Sequence, residues 1–175
     1  MSSLPWEFFA RDVEQVARGL LGKVLLRGGV GGPIVEVEAY HQDEPACHGH
    51  RGRTARNASL FLPGGHLYVY RIHQSLCANV VTGEAGVASA VLIRALLPAY
   101  GRSRIARRRR GQPQRGWCDG PGKLCQALLL ELPTGAVHAG PRIGISRARE
   151  LPWRFLVSRA GQAALHEQLD APADR

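Results

Sequence analysis

The 175-residue chain has no apolar run that approaches membrane-spanning length, which excludes a helical transmembrane class. Its first residues, MSSLPWEFFARD, lack the basic-then-apolar layout of a secretory signal, so the expectation is an intracellular protein of the cytoplasm. In a prokaryote it would be associated with the nucleoid. The four cysteines, Cys47, Cys77, Cys118 and Cys125, form no CxxC pair, and without an export signal disulfides are not expected. Cys47-His48-Gly49-His50, with His41 upstream, has no second ligand pair at finger spacing, so no metal site is read there. GWCDGPGKL lacks the early glycine of a phosphate-binding loop, and Leu124 stands where a Ser or Thr would reach magnesium. No internal repeat and no linker divide the chain. One domain over 1–175 is expected, with about 165–175 as a tail.

Acidic residues are also scarce. Lys and Arg total 23 against 14 acids, a formal net charge of +9, and a compact domain this basic is drawn to polyanions. The run Arg107–Arg110 is either a contact to phosphates or a solvated helix face.

The apolar pattern predicts a helix from Val13 to Leu21, capped by Asp12 and stopped by Gly22. Short strands are expected at Lys23–Arg27 and Ile34–Tyr40, separated by a GGVGG turn. Residues 41–66 lack periodicity and read as a long polar loop with a helical turn near Asn57–Leu60, the kind of loop that carries function. Further strands are expected at Leu67–Ile72, Ala78–Thr82 and Val87–Leu96, the last two flanking TGEAG. A basic helix then follows Pro98, an apolar helix spans Lys123–Leu130, and a last strand lies within Pro152–Val157. The class is mixed α/β of the α+β kind: a curved, mainly antiparallel sheet flanked by helices.

In PIVEVEAY, alternation places Ile34, Glu36, Glu38 and Tyr40 on one face and Val35, Val37 and Ala39 on the other. The two carboxylates would stand about 7 Å apart, at a strand rise of roughly 3.3 Å per residue. Neighbouring acids disfavour each other's charge, which gives one of them the character of a general base that activates water. LYVYRI puts Tyr68 and Tyr70 on one face, either as packing or as the walls of a pocket for a flat ring. Arg94, in the apolar AVLIRAL, needs an anionic partner, either a phosphate or a carboxylate in a structural ion pair. Aromatic walls, a carboxylate with a water and a basic surface together describe a pocket for a base turned out of nucleic acid.

The blocks IVEVEAY, ACHGHRGRTARNASLF, GGHLYVYRI, CANVVTGEAG, AVLIRAL, GPGKLCQALLL and RIGISRARELPWRF follow one another from about Leu20 to Val157. In that order and spacing the chain resembles the alkyladenine (3-methyladenine) DNA glycosylase family. The resemblance implies a single mixed α/β domain that flips damaged purines such as 3-methyladenine or hypoxanthine out of duplex DNA and hydrolyses the N-glycosidic bond. An abasic site remains, and neither metal nor cofactor is needed. By motif position Glu38 matches the general base, Tyr40 a ring that stacks on the flipped base, and Tyr70 another pocket wall. His48 matches a contact to base and sugar-phosphate, Asn79 the residue that crowds the amino group of guanine, and Arg94 a pocket arginine. Arg53, Thr54, Arg56 and Lys123 match phosphate contacts. No lysine reads as an amine nucleophile, so hydrolysis without strand cleavage is expected from a monomer acting on duplex DNA. The chain departs from the pattern after LYVY. The family has a tyrosine and glycine at the tip that wedges into the duplex, whereas this chain has Arg71-Ile72-His73-Gln74-Ser75, one residue shorter before Cys77. His73 or Ile72 is left for the wedge.

Overall fold

The computed structural model describes residues 4–130 and, for the backbone, 154–156. A short helix, α1 (Trp6–Phe9), opens the chain and was not expected from the pattern. Helix α2 (Val13–Leu20) follows the expectation: the Asp12 carboxylate accepts from the backbone N–H groups of Glu14 and Gln15, satisfying orphan donors of the first turn. Its buried residues, Val13, Val16, Ala17 and Leu20, fall at helical spacing. Gly22, at φ 77°, ends it.

Among the described residues six strands follow: β1 (Val24–Arg27), β2 (Val30–His41), β3 (Leu67–Ile72), β4 (Ser75–Val81), β5 (Ser89–Leu96) and β6 (Arg154–Leu156). They run β1-β2-β5-β4-β3, with β6 pairing β2, and every pairing is antiparallel. The expected α+β class is therefore observed. The GGVGG turn is shorter than expected. Only Gly28 and Gly29 turn, both at positive φ, while Val30, Gly31 and Gly32 already belong to β2. Hairpin pairing of those residues with β1 overrides the turn propensity of glycine.

Ile34 also departs from the expected face. The β2–β5 ladder pairs Ile34 with Leu96, Glu36 with Ala95 and Val37 with Ile93, so it skips Val35 on one strand and Arg94 on the other. These compensating irregularities release Ile34 from the carboxylate side, and it joins Val37 and Ala39 in the main core.

The sheet is two-faced. Val37, Ala39, Val69, Ala78, Val80, Val91 and Ile93 point into the main core, where α2 and α4 (Pro121–Leu128) cover them. Val16, Leu124, Leu128 and Ile105 are fully buried there, and each such aliphatic side chain contributes about 1.5–3 kcal/mol on burial. Ile105 comes from α3 (Arg102–Arg108), the expected basic helix. The opposite face carries a smaller cluster of Cys47, Leu60, Tyr68, Val81, Ala88 and Ala90, and the candidate site. The expected tail at about 165–175 lies outside the described residues.

Candidate active site

Successive strands place Glu38, Leu92, Asn79 and Tyr68 as Cα partners in one row across β2, β5, β4 and β3. In the flanking rows Tyr40 stands opposite Ala90, and Tyr70 opposite Cys77. A period of two therefore converts four separated motifs into one surface. Above it lies a cavity of about 290 Å³, at the small end of ligand-binding clefts. Glu38, Tyr40, His48, Tyr70, His73, Asn79 and Arg94 all line it.

Three side chains meet at its acidic end. Arg94 Nη1 lies 3.1 Å from Glu38 Oε1, and Arg94 Nε donates to Glu36 Oε1 at 2.9 Å. The two carboxylates thus share one guanidinium rather than repelling each other unopposed. Of the two alternatives for Arg94, the structure shows the carboxylate ion pair, and the residue also lines the cavity. Burial alone would make the guanidinium easier to deprotonate, but Glu38 and Glu36 outweigh that and hold it firmly charged. The Tyr40 hydroxyl donates to Glu38 Oε2 at 2.7 Å. Burial first, and the Glu38 carboxylate second, push the Tyr40 phenol upward, so it remains a donor throughout the physiological range.

The aromatic end is built on β3. Tyr68 and Tyr70 stack with ring centroids 5.4 Å apart, and the His48 ring meets Tyr70 edge-on at 4.2 Å. His48 Nδ1 shares a hydrogen bond of 3.0 Å with the Tyr68 hydroxyl. Burial lowers the His48 imidazole below its ordinary value, favouring the neutral ring. Tyr68 thus serves both as packing and as wall, because its ring is buried while its hydroxyl reaches His48.

The loop after β2 delivers His48. Gly49 rests on the start of β5 so closely that a Cβ would come 2.0 Å from that of Ala88, and Gln42 Oε1 accepts from the Ala88 N–H. Asn57, which the motifs did not single out as a site residue, is buried and ties the loop together. Its Oδ1 accepts from Thr54 N and Oγ1, and its Nδ2 donates to the carbonyls of His48 and Gly52. The clustered Cys47, His48 and His50 are turned to separate duties: Cys47 Sγ lies 3.9 Å from the Ala88 carbonyl, and His50 Nδ1 lies 2.8 Å from that of Gln42. Burial pushes the Cys47 thiol up to about 11, which makes it a packing group rather than a nucleophile.

Asn79 Nδ2 donates to the carbonyls of Tyr68 and Cys77, so both amide hydrogens are engaged by backbone. Pro121 and Gly122, at the start of α4, close the cavity from a distant part of the chain. Gly122 sits against Ser75, where a Cβ would come within 2.8 Å of the serine side chain. The β3–β4 hairpin turns on His73 and Gln74, with His73 at φ 50°, a conformation usually left to glycine at this turn position.

Arg53, Thr54, Arg56 and Lys123 lie outside the cavity lining. The first three are exposed beside it in the sequence of the His48 loop, and Lys123 Nζ pairs with Asp119 at 2.9 Å. The Arg107–Arg110 run divides. Arg108 donates to the Ala127 carbonyl at the end of α4 and Arg109 to Gln126 and the Gly116 carbonyl, whereas Arg107 and Arg110 are exposed. Among the described residues no helix is long and apolar enough to cross a membrane.

A basic chain whose antiparallel sheet carries a carboxylate at one end of an aromatic cavity has the makings of a hydrolase for nucleobase derivatives. Residues 7–134 match the methylpurine-DNA glycosylase (MPG) family, and the chain belongs to that family. It is an enzyme of the DNA-3-methyladenine glycosylase type, acting on N-glycosyl bonds. A relative from Rhodopseudomonas palustris (strain BisB18) named "Putative 3-methyladenine DNA glycosylase" is 52% identical over 169 residues, covering 85% of this chain and 84% of the relative. Relatives with the same name from Nitrobacter winogradskyi and Agrobacterium fabrum are 48% and 46% identical. They cover 85% and 87% of this chain, and 80% and 87% of their own lengths.

Proposed function

We propose that this single-domain enzyme acts as a monomer on duplex DNA, extrudes an alkylated or deaminated purine and hydrolyses its N-glycosidic bond, leaving an abasic site. The observation that carries the reading is Glu38, held by Arg94 and Tyr40 at the end of a cavity walled by Tyr40, Tyr70 and His48. The flipped base would stack on Tyr40 and Tyr70, with the neutral His48 ring against its edge. Asn79 would crowd the position where guanine carries its amino group.

Glu38 takes a proton from water, the water oxygen bonds to C1′, and the C1′–N9 bond breaks with its electron pair leaving on the base. An alkylated purine is cationic and is neutralised by that pair. Hypoxanthine leaves as an anion and must then be protonated. The oxocarbenium character that develops on the sugar is stabilised by the same carboxylate. No step needs a metal or cofactor. Arg53, Thr54, Arg56 and Lys123 would hold flanking phosphates, and His73, at the hairpin tip, would enter the gap left by the base. The bacterial relatives support a cytoplasmic setting, at the chromosome.

The test compares wild type and Glu38→Gln for base release from duplexes carrying hypoxanthine or ethenoadenine and from methylated bulk DNA. Release is expected from wild type, with a fall of about 10²–10⁴ in the variant, the usual contribution of a general base. Release unaffected by the substitution would sink Glu38 as the base. The second reading, a DNA-binding domain without catalysis, is favoured by the His73-Gln74 tip; binding without release on all substrates would establish it.

A further inference from the structure

Glu36 stands next to the machinery but does not itself line the cavity. It has no part in the chemistry assigned above. Yet its carboxylate and that of Glu38 converge on one side chain, with Arg94 Nε 2.9 Å from Glu36 and Nη1 3.1 Å from Glu38. All three are largely shielded, with side-chain exposures of 18%, 15% and 23% for Glu36, Glu38 and Arg94.

The backbone explains how this bridge forms. Arg94 is the residue that the β2–β5 ladder skips, between Ile93, opposite Val37, and Ala95, opposite Glu36. Arg94 keeps the alternation of Ala90 and Leu92, which also line the cavity, and so stays on the carboxylate face at this irregularity. The bridge joins β5 to both glutamates of β2 at this irregularity. A guanidinium engaged by two acids contributes to each only part of the neutralisation that it would give to one.

We propose that Glu36 is a positioning residue for the hydrolytic step: it holds Arg94 by Nε so that the arginine orients Glu38 without fully neutralising it. This rests on the glycosylase reading above. A carboxylate only partly neutralised suits a site that must stabilise a cationic sugar while still accepting a proton from water. Among the described residues, the groups facing the pair include Tyr40 on β2, whose hydroxyl reaches Glu38, and Arg94 on β5. From β6, Arg154 stands opposite Glu38 in the ladder. The cavity lining also carries the ionisable Cys47, His48, Tyr68, Tyr70 and Cys77, with His73 at the hairpin.

The experiment is single-turnover release of hypoxanthine from a duplex, as a function of pH, for wild type, Glu36→Gln and Glu36→Asp. Affinity for an uncleavable abasic-analogue duplex and the thermal midpoint are measured alongside. In Glu36→Gln the whole charge of Arg94 falls on Glu38. The plateau rate is expected to drop about tenfold, a fraction of what a general base supplies. The acid limb should move down by about one pH unit, the usual scale for an opposite charge brought closer. Duplex affinity should not change. Glu36→Asp keeps the charge and shortens the reach, so its limb should stay at the wild-type position while its plateau falls less. A Glu36→Gln plateau that falls with an unmoved limb, a limb that moves upward, or a Glu36→Asp profile like that of Gln would each overturn the role. If the Gln variant does not fold, the Asp limb alone decides. Wild type that releases no base from hypoxanthine, ethenoadenine or methylated DNA would overturn the glycosylase reading itself, and this role with it.

Discussion

The Tyr40 hydroxyl is 2.7 Å from Glu38 Oε2, so one residue offers both a ring to the cavity and a hydrogen bond to the carboxylate. The two duties separate by substitution. Tyr40→Phe keeps the ring and removes a bond to a charged acceptor, a contact worth about 1.5–3 kcal/mol. The expected result is a ten- to hundredfold slower release, by about 1.4 kcal/mol per tenfold, with little loss of affinity for lesion-bearing duplex. Tyr40→Ala removes the ring as well and should weaken both. Equal affinity losses for Phe and Ala would deny the hydroxyl its separate role.

His48 gives stability a pH dependence of known sign. Burial lowers its imidazole from 6.5, so the folded protein takes up that proton less readily than the unfolded chain. The stabilisation is complete above about 6.5 and is lost as pH falls through the lowered folded value. Glu44 acts in the opposite sense. Burial raises its carboxyl from 4.5, so its ionisation weighs against the fold increasingly as pH rises above that value. Thermal midpoints measured from about pH 8 down to about 5 should fall for the wild type. The fall should flatten in His48→Gln and steepen in Glu44→Gln. A profile unchanged by His48→Gln would remove His48 from the account.

Asn57 is the hinge pin of the loop that carries His48. Its amide makes hydrogen bonds to Thr54 N and Oγ1 and to the carbonyls of His48 and Gly52, all from a side chain that is only 6% exposed. Asn57→Ala is expected to cost about 2–4 kcal/mol by denaturant unfolding, because it removes four hydrogen bonds made by one buried side chain. Base release should fall as well, since the His48 backbone loses its anchor. Asn57→Asp keeps the acceptor but loses both donors, and should lie between the two. A loss below 1 kcal/mol in the alanine variant would mean that water replaces these bonds at little cost.

What could be read ahead of the fold was what depends on local pattern. Asp12 followed by Val13, Val16, Ala17 and Leu20 states its own helix, and β3 begins and ends where LYVYRI alternates. The same alternation brought Glu38, Tyr40 and Tyr70 to the cavity. What escaped depends on pairing across the chain. The ladder skips Val35 and Arg94 only because two distant strands slip and recover, so neither the core position of Ile34 nor the Glu36 bridge has a local signature. Pro121 and Gly122 wall the cavity from α4, and Leu92 and Cys77 line it by standing opposite Glu38 and Tyr70. Asn57 resembles any loop asparagine until four partners close around it.

Arg53 and Arg56 are exposed beside the His48 loop, outside the cavity. As phosphate contacts they should govern affinity rather than chemistry. A plot of log affinity for duplex against log salt should lose about 0.9 from its slope for each phosphate contact removed. Arg53→Ala should therefore flatten the slope and weaken lesion-bearing and intact duplexes alike, with the single-turnover rate at saturation unchanged. A slope identical to wild type would place the duplex elsewhere.

His73 sets stability against function. At φ 50° it holds a backbone conformation that glycine adopts at no steric cost, while L-residues pay about 1–2 kcal/mol. His73→Gly should therefore stabilise the hairpin, or at least offset its own loss of packing, and raise the thermal midpoint. If the ring fills the gap left by an extruded base, the same variant should release base more slowly and bind lesion-bearing duplex less tightly. Duplexes in which the lesion sits in a mismatch, where unstacking is easier, should suffer least. His73→Phe keeps a flat ring and should retain most of the rate. Higher stability with an undiminished rate on paired lesions would take the wedge away from His73 and leave Ile72, its neighbour in the cavity lining, as the residue to test.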